Sequence, residues 1–246
     1  MNLILLKVEE LDADDRVVLS GDRARHIRKV LKSEPGQVLR IGLLNGSPGK
    51  GTVESINGKE VVLRCEFDST PPPAPHIDLV LAMPRPKVMK RLWAQLAALG
   101  VGRIVLLRAE KVERFYFDTH VLEPEFYNPL LVEGLQQARC THLPEVMIRP
   151  LFKPFVEDEF DGLFGSHLKL LADPSGEKRL ADFFPVAEKS ERIVLAVGPE
   201  GGWTQYEREK LMEHGFHLFG MGDRILRTDT ATIGLLSMLA ERMRPE

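Results

Sequence analysis

The residues best suited to chemistry lie in the segment Ile193–Glu207, which has the sequence IVLAVGPEGGWTQYE. An apolar stretch runs into a glycine-rich loop and then into a helical pattern, whose beginning is indicated by the T-x-x-E spacing of Thr204 and Glu207. Ligands of α/β sheets bind where strands end and helices begin, and glycine lets the backbone approach a ligand closely. We therefore expect a polar ligand cradle here, although an ordinary strand-to-helix loop is the alternative. The loop residues are Gly198, Pro199, Glu200, Gly201 and Gly202.

A second segment, Gly215–Ala231, has the sequence GFHLFGMGDRILRTDTA and a similar pattern. An apolar strand ends in glycines, and two arginines, Arg224 and Arg227, precede a helix that we expect Thr228 or Asp229 to cap. Arginines beside a glycine loop at a strand end are suited to grip phosphate or a polar base edge. A salt bridge to a nearby carboxylate is the alternative for either arginine.

Other common site patterns are absent from the sequence. There is no HExxH or CxxC motif and the 7 histidines are scattered, so we expect no metal site. The stretch Gly46–Thr52 resembles a phosphate-binding loop, but Leu44 stands where the first glycine belongs and Gly51 follows the lysine. We interpret it as a hairpin tip, which disfavours a nucleotide-dependent enzyme.

The elements that must position these residues follow a proline-rich stretch at residues 71–75, where four prolines in five residues can continue neither a helix nor a central strand. Beyond it, apolar strands alternate with helices, which indicates a mostly parallel sheet covered on both faces. The predicted strands are Ile77–Met83, Arg103–Leu107, Leu168–Ala172, Ile193–Val197 and His217–Phe219. The predicted helices are Lys87–Leu99, Glu123–Cys140, Thr204–His214 and Thr228–Arg242.

Residues 1–70 have a mostly β pattern, beginning with a short apolar first strand. Further strands are predicted at Arg16–Ser20, Gln37–Leu44, Gly51–Ile56 and Glu60–Phe67. A basic helix from about Asp22 to Leu31 interrupts them, and we expect Ile27, Val30 and Leu31 to form its apolar face. A small barrel with one helix suits this length. The sequence thus predicts a domain at 1–70, a stiff linker at 71–75 and a second domain at 76–246.

Composition is typical of a soluble globular protein, with 43% apolar and 28% charged residues. No apolar run approaches the roughly 20 residues that a membrane span needs, and we expect no membrane association. With 2 cysteines and no metal-type pair, a reducing cytoplasm is the expected compartment.

The net charge of −3 argues against bulk electrostatic binding of nucleic acid, but the basic residues cluster in two segments. Solvated helix faces are one explanation of these clusters, and RNA contacts are the other. The candidate RNA-binding residues are Arg23, Arg25, Arg28, Lys29 and Lys32 in the first cluster and Arg85 and Lys87 in the second.

The motifs GPEGGWTQYE and LFGMGDRILRTDTA resemble the two C-terminal signatures of the RsmE family of 16S ribosomal RNA uridine methyltransferases, GPEGG(F/W)(S/T)xxE and LGxRILR(T/A)ETA. Weaker matches to the family's H(I/L)xxVLR, ATELGV and EQSxRxxLP stretches lie at residues 25–31, 96–101 and 136–144. The similarity therefore runs, in order, along nearly the whole chain.

The resemblance implies an α/β protein with an N-terminal PUA-like RNA-binding β-barrel and a C-terminal trefoil-knot (SPOUT) methyltransferase domain. It implies S-adenosylmethionine as cofactor, and 16S ribosomal RNA or the small ribosomal subunit as partner. The product would be a uridine methylated at ring N3, and the protein would be a cytoplasmic homodimer.

Carried over by position, the resemblance places the cofactor in three strand-end loops and makes Arg227 the first candidate for catalysis, at the substrate or its developing charge. The implied cofactor-binding residues are Leu171 and Ala172, with Asp173 beside them, then Gly198, Pro199, Glu200 and Gly201, and finally Phe219, Gly220, Met221, Gly222, Ile225 and Leu226. Such apolar residues and bare backbone groups suit an adenine ring and a thioether.

The chain departs from the family pattern at a few positions. Ala97 and Ala98 replace the threonine and glutamate of ATELGV, Asp229 replaces the glutamate of ETA, and Lys32 replaces the arginine of VLR. Ala98 keeps open the alternative of a ribosome-binding protein that has lost catalysis. A knotted methyltransferase that acts on transfer RNA is a further alternative.

Overall fold

The computed structural model describes residues 2–68, 70–184 and 192–243. The chain divides into two compact units. Unit 1 consists of Met1–Ala74 and Val132–Leu143, and unit 2 consists of Pro75–Leu131 and Pro144–Glu246. The proline-rich stretch 71–75 lies where the long segment of unit 1 ends. The outer ends of the two predicted domains, residues 1 and 244–246, lie outside the described residues.

Unit 1 contains one five-stranded sheet. Its strands are β1 (Ile4–Leu6), β2 (Arg16–Leu19), β3 (Val38–Leu43), β4 (Pro48–Asn57) and β5 (Glu60–Phe67). In the order β1-β3-β4-β5-β2, β1 and β3 are parallel and the other neighbours are antiparallel. Because β1 and β2 are both edge strands, the described residues form an open, curled sheet where the sequence predicted a barrel. The stretch Gly46–Thr52 forms the β3–β4 turn and the start of β4, which confirms the hairpin interpretation.

One helical segment packs on the core of this sheet. Helix α1 (Gly21–Arg25) continues directly into a π-helical turn, His26–Val30. Ile27 is buried as predicted, but Val30 is 65% and Leu31 39% exposed, so the prediction that these two face the core is wrong. The reason is the wider π turn, in which Leu31 N donates to His26 O at 3.0 Å and moves later residues off the 3.6-residue period.

Residues 132–143 belong to unit 1, although the sequence pattern placed them in the second domain. They comprise the last turns of helix α3 (Pro124–Ala138) and the segment that follows. The Thr141 hydroxyl donates to Gly46 O at 2.7 Å, which ties this segment to the β3–β4 turn. No local pattern predicts such a pairing, because the two segments are far apart along the chain.

Unit 2 is built on a six-stranded sheet in which every neighbouring pair is parallel, as the sequence predicted. Its strands are β6 (Ile77–Ala82), β7 (Val101–Leu107), β8 (Glu145–Arg149), β9 (Leu168–Ala172), β10 (Ile193–Val197) and β11 (His217–Phe219), in the order β11-β9-β10-β6-β7-β8. Every residue of β6 and β10 is buried, which explains their continuous apolar sequence. The sequence did not predict β8, whose charged ends and partial exposure are typical of an edge strand.

Helices cover the sheet. They are α2 (Pro86–Ala98), the first half of α3, the short α4 (Phe152–Pro154) and α5 (Phe160–Phe164), joined by a π turn at Phe155–Glu159, then α6 (Gln205–Glu213) and α7 (Thr228–Arg242). The predicted helices match these bounds closely. Across the described ranges, no helix combines the length and apolar composition that a bilayer crossing requires.

This topology positions the candidate site. Strands β11, β9 and β10 are neighbours, so the loops that follow them emerge side by side at the carboxyl edge of the sheet. Helix α7 packs on β10, β6 and α2, and it begins close to the same edge. The three segments singled out from the sequence therefore meet in space.

Candidate active site

The loop after β10 is held rigidly by a buried carboxylate. Glu207, 2% exposed, accepts hydrogen bonds from Thr204 N at 2.9 Å and from Glu110 N at 2.7 Å. Thr204 Oγ1 in turn accepts from Glu207 N at 3.3 Å, which confirms the predicted capping box. Lys111 Nζ donates to Gly201 O at 2.8 Å. The loop after β7, which supplies Glu110 and Lys111, thus fixes the glycine-rich loop in place.

A glycine is required at position 198 because the Trp203 side chain lies close to the backbone there. A Cβ atom at that position would lie 3.0 Å from Nε1 of Trp203, tighter than ordinary van der Waals contact. Trp203 is buried, and Gly202 has the positive φ of +70° that lets the chain turn back toward α6. The glycines therefore serve packing and turning, and they leave backbone groups bare beside the indole.

The loop after β9 lies against the end of β11. Asp173 N donates to Phe219 O at 3.0 Å, and a Cβ atom at Gly176 would lie 2.3 Å from the carbonyl carbon of Phe219. The Asp173 carboxylate, 8% exposed, accepts from Ser175 N at 2.9 Å and Ser175 Oγ at 2.6 Å. These contacts hold the turn that follows Ala172.

The loop after β11 leads into α7. Arg227 occupies the N-cap position with extended backbone, and its side chain makes no cap hydrogen bond. The prediction that Thr228 or Asp229 caps the helix is therefore wrong. Thr228 is the first helical residue, and its hydroxyl donates instead to Gly198 O at 3.3 Å. Thr228 therefore bonds to the loop after β10 and does not cap its own helix.

These three loops and the start of α7 line an open pocket, which we call the first pocket. Its walls are mainly apolar side chains and glycine backbone. The lining residues are Ala172, Asp173, Pro174, Val197, Gly198, Pro199, Glu200, Gly202, Trp203, Met221, Gly222, Arg224, Ile225, Leu226, Thr228, Ala231 and Leu235.

Most of the predicted cofactor residues line this pocket, namely Ala172, Gly198, Pro199, Glu200, Met221, Gly222, Ile225 and Leu226. Four do not: Leu171, Gly201, Phe219 and Gly220. Leu171 and Phe219 are completely buried in the sheet core. Gly220 faces the loop after β9, because a Cβ there would meet Gly176 O at 2.5 Å. Gly201 points away toward Lys111.

Several lining residues were not predicted from the sequence. Trp203 could have been suspected because it directly follows the glycines. Ala231 and Leu235, by contrast, lie one and two turns into α7 and look like ordinary core residues in the sequence. Only the packing of α7 onto β10 brings them to the pocket.

A second open pocket adjoins the first, and Glu200 and Thr228 line both. The second pocket is rich in arginine. Its lining residues are Arg85, Val88, Arg91, Glu200, Arg227, Thr228 and Asp229. Arg85 and Arg227 were predicted as an RNA contact and a catalytic residue on separate grounds, and the structure brings them to one cavity.

The charges of the second pocket are only partly paired. Arg91 Nη2 lies 3.2 Å from Asp229 Oδ2, so that pair is satisfied internally. Within the described part of the chain, the side chains of Arg85, Arg227 and Glu200 form no ion pair or hydrogen bond. This cavity therefore presents two free guanidinium groups and one free carboxylate beside an apolar pocket, an arrangement suited to a polar, anionic ligand.

The five basic residues predicted in the first cluster are not equally available. Arg23 forms an ion pair with Glu10 and donates to Leu5 O at 3.1 Å, and its hydrogen bonds hold the pKa of Glu10 below the ordinary value. Arg25 lies 2.9 Å from Asp22 at the surface. The side chains without an ion pair in the described structure are Arg28, Lys29 and Lys32, next to exposed Val30 and Leu31. In unit 2, Lys87 is exposed at the start of α2.

Ala98, which stands where the family has a glutamate, is exposed at the last residue of α2. The helix begins near the carboxyl edge of the sheet at Pro86 and runs about 20 Å back to the start of β7. Ala98 therefore lies at the opposite edge from both pockets.

Comparison with known proteins identifies the chain's relatives. A family model described as an RNA methyltransferase domain matches residues 71–240, and one described as an RNA methyltransferase PUA domain matches residues 19–65. The ribosomal RNA small subunit methyltransferase E of Treponema pallidum is 31% identical over 236 residues, which cover 94% of this chain and 87% of that protein. The chain belongs to the RsmE family of RNA methyltransferases. Ribosomal RNA small subunit methyltransferase E 1 of Borreliella burgdorferi, at 25% identity, covers 99% of both chains.

The fold matches solved structures as well. The crystal structure of a ribosomal RNA small subunit methyltransferase E from Neisseria gonorrhoeae bound to S-adenosyl methionine aligns with a TM-score of 0.78 at 22% identity, over 98% of this chain and 97% of that one. A probable rRNA-methyltransferase from Porphyromonas gingivalis aligns with a TM-score of 0.76 at 20% identity, over 98% of each chain. Both likenesses extend through the two units of this RsmE family member.

Proposed function

We propose that this chain transfers the methyl group of S-adenosylmethionine to ring N3 of a specific uridine in 16S ribosomal RNA. The observation that carries the proposal is the pair of adjoining pockets at the carboxyl edge of the sheet, in a chain of the RsmE family. The curated relatives with the same architecture are named for the small subunit RNA.

The first pocket fits the methyl donor. Trp203, Leu226 and Leu235 supply apolar walls for an adenine ring and a thioether, and the glycine-rich loop brings the backbone close to them. Arg224 at the rim suits the donor's carboxylate. When bound, S-adenosylmethionine supplies an electrophilic methyl group on a positively charged sulfur.

The second pocket suits the acceptor nucleotide. Arg227 and Arg85 offer planar guanidinium groups to uracil oxygens or to a flanking phosphate. Loss of the N3 proton places negative charge on the uracil ring, and a guanidinium beside its oxygens lowers the free energy of that anion. We assign this role to Arg227, and we assign alignment of the acceptor to the pocket walls, since positioning alone contributes several kcal/mol.

RNA binding extends beyond the pockets. We propose that residues 1–70, with their open, curled sheet, form a PUA-like RNA-binding domain. We propose that residues 76–246, apart from the segment 132–143 that belongs to unit 1, form a SPOUT methyltransferase domain, and that residues 71–75 join the two. In the first, Arg28, Lys29 and Lys32, with Arg25 at their margin, are the phosphate contacts, and Arg85 and Lys87 serve in the second. Arg23 is left out because its charge is compensated by Glu10.

We further propose that the second domain is a trefoil knot. The chain leaves β11 at one end of the sheet and returns past β9 and β10 to place α7 on β10 and β6. Along this path it packs so closely on the loop after β9 that neither Gly176 nor Gly220 could carry a Cβ atom. Such a threaded path runs against ordinary topology.

We also propose that the chain forms a homodimer, because exposed apolar surface is usually covered by a partner. Ile225 is 85% and Met238 49% exposed, on the loop before α7 and on α7 itself, beside the first pocket. We place the enzyme in the cytoplasm, where the ribosomal RNA that would be its substrate is made and where its free cysteines stay reduced.

The test uses purified protein, S-adenosylmethionine carrying a labelled methyl group, intact small subunits, naked 16S RNA and transfer RNA. We expect label in the 16S RNA of at least one of the first two substrates, recovered as 3-methyluridine by nucleoside mass spectrometry. Label in transfer RNA alone would establish the rival methyltransferase. Subunit binding without cofactor binding, measured by calorimetry, would establish a ribosome-binding protein that lacks catalysis.

A further inference from the structure

The acceptor nitrogen must lose a proton, and few residues are placed to take it. Among the residues that the structure describes, no histidine, lysine, cysteine or tyrosine lines either pocket. Arginine stays protonated and cannot act as a base. The remaining candidates are the three carboxylates that line the pockets, Asp173, Glu200 and Asp229.

Two of these carboxylates are already engaged. Asp173 is 8% exposed, accepts two hydrogen bonds from Ser175, and has Arg208 Nη1 3.7 Å from its other oxygen. Asp229 is bound by Arg91 at 3.2 Å and accepts a hydrogen bond from Thr230 N at 2.9 Å. Each is tied to the protein and lines only one of the two pockets.

Glu200 differs on both counts. Of the described residues, only Glu200 and Thr228 line both pockets, and the Thr228 hydroxyl donates to Gly198 O. The Glu200 carboxylate, in contrast, has no hydrogen-bond or ion-pair partner among residues 2–68, 70–184 and 192–243, and the side chain is exposed. It stands at the junction where a methyl group would pass from one cavity to the other.

We propose that Glu200 is the general base of the reaction, a role different from the cofactor contact expected from the sequence. The inference rests on the proposed function. The N3–H bond of uridine breaks as its proton moves to a Glu200 carboxylate oxygen, and the N3 electron pair forms the new bond to the methyl carbon. The carbon–sulfur bond breaks and leaves its electron pair on sulfur, so the products are N3-methyluridine, a neutral thioether and protonated Glu200.

The surrounding charges suit this step. The groups that face Glu200 across the second pocket are Arg85, Arg91, Arg227 and Asp229, and Arg224 and Asp173 face it across the first. Four of these six are cations, so the anion that forms on the uracil ring would lie among positive charges. Arg227 stabilises the uracil anion while Glu200 takes the proton, and the two roles are complementary.

The test compares Glu200→Gln with the parent enzyme, using single-turnover methylation of the same RNA at saturating S-adenosylmethionine. General-base catalysis is typically worth about 10² to 10⁴-fold, so we expect the rate at neutral pH to fall at least 10²-fold. Calorimetry should show cofactor affinity within about threefold of the parent, because the variant keeps the pocket's shape. The matched control is Glu209→Gln, an exposed glutamate on α6 that lines neither pocket and is expected to keep the parental rate.

The pH profile separates a base from a merely structural residue. With a free carboxylate the rate should be nearly flat around neutral pH, whereas Glu200→Gln should gain about tenfold per pH unit as hydroxide replaces the base. The proposal would be overturned if the rate of Glu200→Gln were within about threefold of the parent rate. It would also be overturned if raising the cofactor concentration to saturation restored the lost rate. A parent protein that neither binds the cofactor nor methylates RNA would instead refute the proposed function.

Discussion

The two edges of the parallel sheet in unit 2 differ in whether their charged side chains are paired. At the amino edge, Asp78 is fully buried, with Arg192 Nη2 at 2.8 and 2.9 Å and His167 Nε2 at 3.0 Å. Also at that edge, Lys169 is 9% exposed and donates to Asp161 Oδ1 at 3.1 Å and to His214 O at 2.7 Å. Charges at this edge are neutralised by one another.

At the carboxyl edge, some charged groups are left free. Glu200 and Arg227 line the pockets without a partner in the described ranges, and both are exposed. An unpaired charge is costly when buried but cheap when solvated, so a protein can keep free charges only where solvent or a ligand reaches them. The comparison indicates that the amino edge stabilises the fold and the carboxyl edge serves the ligand.

The strongest way to break this comparison is Asp78→Ala. It leaves Arg192 and His167 without their buried partner, and removal of one member of a buried ion pair typically costs about 3–5 kcal/mol. Because Arg192 is itself partly exposed, we expect the lower end, about 3 kcal/mol, in the free energy of urea unfolding. The matched control at the same edge is Glu145→Ala, which breaks a solvent-exposed pair with Arg103 and should cost less than about 1 kcal/mol. Equal losses would mean that burial does not distinguish these pairs.

The converse change is Arg227→Ala at the carboxyl edge. Here the stability should stay within about 0.5 kcal/mol of the parent, as is usual for an exposed side chain without partners. The methylation rate should fall roughly 10²- to 10³-fold, because one donor to the developing anion is lost. The control for loss of positive charge near the loops is Arg179→Ala, since the Arg179 side chain is 82% exposed and pairs with Asp182. A parental rate in Arg227→Ala would remove this residue from catalysis.

Lowering the pH should change the free energy of unfolding less than Asp78→Ala does, because protonation removes the charge of Asp78 and leaves its side chain in place. Burial raises the pKa of Asp78, but the hydrogen bonds from His167 and Arg192 outweigh burial and hold that pKa below its ordinary value of 3.8. A lowered folded-state pKa contributes stability above the unfolded pKa, and that contribution is lost as pH falls through the folded pKa. The stability gap between the parent and Asp78→Asn should therefore be constant near neutral pH and narrow below about pH 4. Urea titrations across that range measure it, and a gap that widens in acid would contradict the assignment.

The smallest effect is expected from a change in the N-cap that anchors the loop carrying Glu200. Thr204→Ala removes the N-cap of α6 and should lower the free energy of unfolding by about 1 kcal/mol, whereas Thr204→Ser should restore most of it. Because this cap also anchors the loop that carries Glu200, cofactor affinity should weaken along with stability. Unchanged affinity in Thr204→Ala would mean that the contacts of Glu207 with Glu110 suffice to hold the loop.

Local patterns in the sequence were sufficient for much of this molecule. The alternation of apolar strands with helices predicted the parallel sheet, because strands buried on both faces must be apolar throughout. The capping box at Thr204 and Glu207 located the start of α6 within one residue. The glycine loops were placed correctly at strand ends, and most of their predicted residues line one pocket.

Local patterns failed to predict other features, and the physical reason can be identified in each case. The π turn after α1 exposes Val30 and Leu31, and a periodicity of 3.6 residues could not predict it. Thr228 forms an interloop hydrogen bond instead of capping α7, because Gly198 O lies within reach of its hydroxyl only in the folded chain.

By itself, the sequence determined which residues end strands, which begin helices and to which family the chain is similar, since these depend on neighbours along the chain. Only the tertiary structure decided which of those residues share a cavity and which charges stay unpaired. Asp229 and Glu200 are both acidic residues beside glycine loops, yet Arg91 binds one and leaves the other free. That difference arises from contacts between distant segments, and no local pattern encodes them.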